Sequence, residues 1–102
     1  MDYATPHYLL EDILAQMVSV DAMNLRFETL DDLRDLRLKQ RHVLTIVRGL
    51  VHADFYKSMD SHSNPGTWQD VYRPNYQGTV LYLKFGKVID RDEFLVVSCK
   101  DK

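Results

Sequence analysis

The hydrophobic period changes near the middle of the chain, and that change restricts the fold more than any other feature. Up to about residue 50 the apolar residues recur at helical spacing; beyond it they alternate, or form short blocks bounded by turn residues. Thr5 is placed as an N-cap with Pro6 at the first helical position, and Leu9 or Leu10, Ile13, Leu14 and Met17 carry that helix to about Val18. Asn24–Phe27 reads as an extended link or a first strand. Thr29 is a second N-cap candidate, with Asp31 and Asp32 near the positive helix end and Leu30, Leu33 and Leu36 behind them, to about Leu38. A third helix spans Lys39–Leu50, with Val43, Ile46, Val47 and Leu50 as its apolar stripe and Gly49 near its end.

The second half reads as strands. Asp54–Met59 is short and rich in aromatics, and residues 61–66 (Ser-His-Ser-Asn-Pro-Gly) form a loop by composition. Thr67–Arg73 is a strand that Pro74 stops, and Asn75–Gly78 is a turn. Thr79–Phe85 alternates cleanly, with Val80, Tyr82 and Lys84 on one face and Leu81, Leu83 and Phe85 on the other. After a charged turn at Asp90–Glu93, Phe94–Cys99 forms another apolar strand. Helices followed by consecutive strands predict an α+β fold, with N-terminal helices packed on a twisted antiparallel sheet. At 102 residues the expectation is a single domain, 1–102.

Composition removes several function classes. Cys99 is the only cysteine, so neither an internal disulfide nor a four-cysteine zinc site can form, and a reducing cytoplasm fits. Met1-Asp2-Tyr3-Ala4 does not lead a positive segment into an apolar run, so no signal peptide is expected. No apolar stretch approaches the roughly 20 residues of a membrane helix. There is no glycine-rich phosphate loop, no His-Glu-x-x-His and no Gly-x-Ser-x-Gly. The formal net charge is −2, so bulk attraction cannot hold a nucleic acid, and any RNA affinity should be weak and salt-dependent. Residues 54–87 do carry four bases (Lys57, Arg73, Lys84, Lys87) against three acids (Asp54, Asp60, Asp70), which leaves room for a local basic patch.

Candidate chemistry is concentrated in Asp54-Phe55-Tyr56-Lys57-Ser58-Met59 and Trp68-Gln69-Asp70-Val71-Tyr72-Arg73-Pro74. These runs interleave aromatics with Lys57, Gln69 and Arg73. Such a surface suits RNA, whose phosphates need cations and whose unstacked bases need flat side chains. The same residues also suit an ordinary half-buried sheet. The four histidines, His7, His42, His52 and His62, are scattered and read as surface or boundary residues, with His62 in the polar loop the one to test. Cys99, in an apolar strand, reads as buried and inert. Strand parity puts Gln69, Val71 and Arg73 on one face, Tyr82 and Lys84 on one, and Ser98 and Lys100 on one. If those faces coincide, the sheet presents them together.

Asp54–Met59, Trp68–Pro74, Gly78 before Val80-Leu81-Tyr82-Leu83-Lys84, and Leu95-Val96-Val97-Ser98 with Lys100 together resemble the MqsR toxin family. The order and spacing match from about Asp54 to Lys102, and Thr5-Pro6-His7 is similar to the family's N-terminal signature. Residues 19–45 resemble it only in helical character. The Phe85–Glu93 connection looks longer and more charged than the family's.

The resemblance implies a RelE-like fold and a type II toxin, an mRNA interferase that cuts messenger RNA free of the ribosome, without a metal or other cofactor, at sites containing GC. It implies an antitoxin of the MqsA type as protein partner, with a zinc-binding N-terminal domain and a C-terminal helix-turn-helix domain, and contact with DNA only through that complex. It assigns catalysis to Lys57, Gln69, Tyr82 and Lys100. In those roles Lys57 and Lys100 would stabilise the phosphate, one of them also as a candidate for proton transfer, Tyr82 would act as acid or base, and Gln69 would orient the nucleotide. Arg73, from parity and charge, joins as an RNA-binding residue together with Tyr56 and Lys84; Trp68 and Tyr72 are further candidates for stacking bases. The competing expectations are a non-catalytic RNA- or protein-binding module and a transcriptional regulator using Lys39, Arg41 and Arg48 of the third helix.

Overall fold

The strand whose alternation is clearest in sequence is the hub of the sheet. A computed structural model describes residues 2–60, 67–88 and 90–101. In it β6 (Thr79–Val88) buries Leu81, Leu83 and Phe85 and leaves Val80, Tyr82 and Lys84 partly open. It lies antiparallel between β7 (Glu93–Asp101) and β4 (Trp68–Tyr72). Beyond β4 come β3 (Phe55–Asp60) and β1 (Asp2–Tyr3), and beyond β7 comes β2 (Asn24–Leu25), giving the order β1-β3-β4-β6-β7-β2. A two-residue β5 (Asn75–Tyr76) folds back on the start of β6. Gln77 and Gly78 both turn with positive φ there, which suits glycine at the second position.

The fold is α+β, as the change of period predicts, but the sheet is mixed. β2 runs parallel to β7, because it enters from a helix on the same side instead of through a hairpin. The connection that looks long in sequence is short, since β6 continues to Val88 and β7 begins at Glu93. His62 and its loop lie outside the described residues.

Three helices cover the face carrying Leu81, Leu83 and Phe85. α3 (Gln40–Arg48) presents the expected stripe, with Val43, Ile46, Val47 and the following Leu50 buried. Each such side chain contributes about 1.5–3 kcal/mol when removed from water. α1 (Leu10–Gln16) starts later than the Thr5-Pro6 signal predicts. The amides of His7 and Tyr8 donate instead to the Asp70 carboxylate, at 3.1 and 2.9 Å, and that holds the segment out of a helix.

α2 (Phe27–Leu36) starts two residues before Thr29, so Thr29 is not its cap. Fully buried, its hydroxyl faces the carbonyls of Val96 and Val97 at 3.0 and 2.8 Å and fastens the helix to β7. Thr29→Val keeps the shape and removes the donor. It is expected to cost about 1–3 kcal/mol, read as a lower urea midpoint at unchanged slope. An unchanged midpoint would show that the hydroxyl contributes nothing net.

Candidate active site

Two β-bulges decide which side chains reach the open face of the sheet. In the β3–β4 pairing, Phe55 faces Tyr72 and Lys57 faces Val71, so Tyr56 is an extra residue. In the β6–β7 pairing, Phe85 faces Val96 and Lys84 faces Ser98, so Val97 is extra. Each extra residue flips the alternation. Phe55, Phe94 and Val96 therefore turn toward the core, while Lys57, Ser98 and Lys100 on the same strands turn away from it. Directly opposed residues share a face. Lys57, Val71, Lys84 and Ser98 thus form one row across four strands, with Tyr82 opposite Lys100 beside it and Gln69 opposite Met59. The faces that parity alone leaves independent coincide.

This face opens into a cleft of about 340 Å³, within the range of small-ligand sites. Gln69, Tyr82, Lys84, Ser98 and Lys100 line it from the sheet, and Arg26, Glu28 and Asp32 from the start of α2. Three of the four residues singled out as catalytic therefore converge. Lys57 does not line the cleft; it flanks the far side of Lys84 in the row, with Nζ 3.0 Å from Asp2 Oδ2. Arg73 falls outside the strand expected to end with it. It lies just past the end of β4, its amide donates to the Asp54 carbonyl, and its guanidinium sits 3.9 Å from the Tyr56 ring. Tyr56 in turn stacks on Tyr82 at 6.0 Å and 13°. Arg73, Tyr56 and Tyr82 form a continuous flat rail that ends in the cleft.

The other aromatics are committed elsewhere. Tyr72 is fully buried in the core, where burial and then Asp70 push its phenol up to about 12. Trp68 is stacked under His7 at 4.6 Å and meets Tyr3 edge-on at 4.9 Å, so its ring packs against the N-terminal segment. Among the described histidines none lines the cleft: His7 covers Trp68, His42 accepts from the Lys39 amide, and His52 meets Glu11 at the surface. Cys99 is buried as expected, and burial followed by Asp32 pushes its thiol up to about 11. Among the described residues no three His, Cys, Asp or Glu side chains are grouped to hold a metal ion. No described helix is long and apolar enough to cross a membrane.

The electrostatics centre on Lys84. Its ammonium is pushed below the usual lysine value, mainly by burial and then by the charges of Lys57 and Lys100, with Asp32 opposing. Asp32 is the principal residue that sequence reading misses. Its side chain is only 14% exposed; one oxygen accepts from the Cys99 amide at 3.1 Å and the other lies 3.9 Å from Lys100 Nζ. In sequence Asp32 looks like a carboxylate favouring a helix start. The one available signal is its spacing of four from Glu28, which puts both on one helical face.

A family model described as "Motility quorum-sensing regulator, toxin of MqsA" matches residues 5–101. The mRNA interferase toxin MqsR of Escherichia coli (strain K12) is 33% identical over 102 residues, covering 100% of each chain.

Proposed function

The chain belongs to the MqsR toxin family, and from that premise we propose that it is an endoribonuclease toxin that cuts naked messenger RNA at GC-containing sites, independently of the ribosome and of any metal. The observation that carries this reading is the convergence of Gln69, Tyr82, Lys84 and Lys100 in one cleft at the end of an aromatic rail. The toxin acts as one domain, 1–102, in the cytoplasm. An MqsA-type antitoxin neutralises it, and DNA is met only through that complex.

The chemistry suits these side chains. The 2′-hydroxyl next to the scissile phosphate gives up a proton and its oxygen attacks phosphorus. The bond from phosphorus to the 5′-oxygen breaks, and that oxygen takes a proton. The products are a 2′,3′-cyclic phosphate and a 5′-hydroxyl. Lys100, held by Asp32, and Lys57 at the flank supply positive charge where the phosphorane becomes more negative. Gln69 orients the nucleotide without titrating. Tyr82 has a hydroxyl for proton transfer and a ring already stacked on Tyr56, so it can order the chain entering the cleft. Arg73 and Tyr56 extend that order to a neighbouring nucleotide. Glu28 and Asp32 offset much of the positive lining, which agrees with weak, salt-sensitive binding.

Purified protein incubated with an end-labelled naked messenger RNA in EDTA is expected to give discrete fragments bearing cyclic phosphate ends, cut at GC sites. Intact RNA would overturn ribosome-independent cleavage and point to a toxin that acts on translated messages.

A further inference from the structure

We infer that Lys84 is the general base of this cleft, the group that takes the proton from the attacking 2′-hydroxyl; the assignment rests on the ribonuclease reading above and names a catalytic residue within it. Three lysines lie on this face, and their surroundings differ. Lys57 has a carboxylate of Asp2 at 3.0 Å, and Lys100 has Asp32 at 3.9 Å. Each of those two lysines is thus placed by a carboxylate partner, which suits a residue that holds phosphate. Among the described residues no carboxylate lies within ion-pair distance of Lys84. It stands third in the row, with Val71 between it and Lys57 on one side, Ser98 directly opposite on the other and Lys100 diagonal to it, and with Tyr82 two residues before it on the same face.

A lysine acts as a base only as the neutral amine, and both burial and adjacent cations favour that form. The direction of the Lys84 shift agrees, with burial as the largest cause. The charged and titratable groups around it are Lys57 from β3, Tyr82 from β6, Lys100 from β7, and Arg26, Glu28 and Asp32 from the start of α2. The two lysines favour neutral Lys84 and Asp32 opposes it. A phosphate entering the cleft would pair with Lys100 and Arg26, with the charge of Lys57 at the flank, and leave the amine beside the ribose. The amine then accepts the 2′ proton as the new bond to phosphorus forms. The departing 5′-oxygen takes its proton from a donor in the cleft, for which Tyr82 is the neighbour along the strand. Lys84 afterwards returns its proton through solvent, so the step balances without another reactant.

The test is single-turnover cleavage of naked RNA in EDTA from about pH 5 to about pH 10, with wild type, Lys84→Arg and Lys84→Met side by side. Wild type should gain about tenfold in rate per pH unit along an acid limb that ends in a plateau. Arginine keeps the charge but cannot lose its proton. Lys84→Arg should therefore fall by about 10²–10⁴-fold and lose the plateau within the range. It should still bind an RNA with a 2′-deoxy cut site within about threefold of wild type, because the phosphate-holding charge remains. Lys84→Met should be as slow, with no limb attributable to position 84. Lys84→Arg cleaving within about threefold of wild type would overturn the assignment and leave Lys84 a phosphate contact. So would residual activity that keeps the wild-type acid limb, or a loss of binding to the deoxy analogue. Wild type that leaves RNA intact would overturn the ribonuclease reading itself, and this role with it.

Discussion

Lys57→Ala is expected to slow RNA cleavage by about 10²–10³-fold while the protein stays folded. The bulge at Tyr56 turns Lys57 outward from a strand whose previous core residue, Phe55, packs on Tyr72. The side chain is therefore not part of the packing. Its ion pair with Asp2 is partly solvated, with side-chain exposures of 29% and 57%, and a pair of that kind contributes about 0–1 kcal/mol. In the proposed mechanism the charge matters far more to the reaction, where it flanks the developing phosphorane and also acts on Lys84. Removing it has a second, signed consequence. Lys57 lowers the proton affinity of Lys84, so without it that affinity rises and the acid limb of the rate profile moves to higher pH. The checks are a cleavage time course, a thermal melt and the pH profile of the variant. Cleavage at the wild-type rate would remove Lys57 from the mechanism, and a collapsed melt would assign it to the fold instead.

Asp70→Ala is expected to have the largest effect on stability, about 2–6 kcal/mol. The side chain is fully buried, and its two oxygens accept the amides of His7 and Tyr8 at 3.1 and 2.9 Å. Alanine leaves both donors without an acceptor, at about 1–3 kcal/mol each. The segment those bonds hold also carries the Tyr8 hydroxyl to the Trp68 carbonyl and the Tyr8 ring against Phe94 at 5.3 Å. Small domains are stable by only about 5–15 kcal/mol, so the variant should unfold at far lower urea. Asp70→Asn can accept one amide but turns its own NH₂ toward the other, and should lose roughly half as much. A midpoint within about 0.5 kcal/mol of wild type for Asp70→Ala would mean that the segment finds other acceptors.

Lys57 and Asp70 come from neighbouring strands, β3 and β4, and serve opposite faces of the sheet. Lys57 and Gln69 belong to the open face, and Asp70 and Tyr72 to the closed one. Period-2 alternation separates them in sequence without saying which face is which. That is settled only when α1, α2 and α3 cover the side carrying Leu81, Leu83 and Phe85.

The elements legible in the chain are those whose signal is local and repeated. The stripe of α3 repeats over Val43, Ile46, Val47 and Leu50, so periodicity alone identifies its buried face, and β6 alternates over its whole middle, so periodicity identifies it as a strand with two distinct faces. The family resemblance added Gln69, Tyr82 and Lys100, now seen together. The misreadings are the places where a distant partner outweighs a local preference. Thr5 and Pro6 favour a helix start, but Asp70, more than sixty residues away, takes the amides that follow. Thr29 favours a cap, but two carbonyls of β7 claim its hydroxyl. A bulge has no side-chain signature at Tyr56 or Val97, because it exists only in the pairing of two strands. The sequence by itself determined the α+β class, the order of the elements and the residue types available for chemistry, since these depend on spacing along one segment. Only the tertiary structure decided that Lys84 stands between Lys57 and Lys100 and that Asp32 reaches the cleft. Those juxtapositions come from strand register and helix docking, which bring together groups that no local pattern relates.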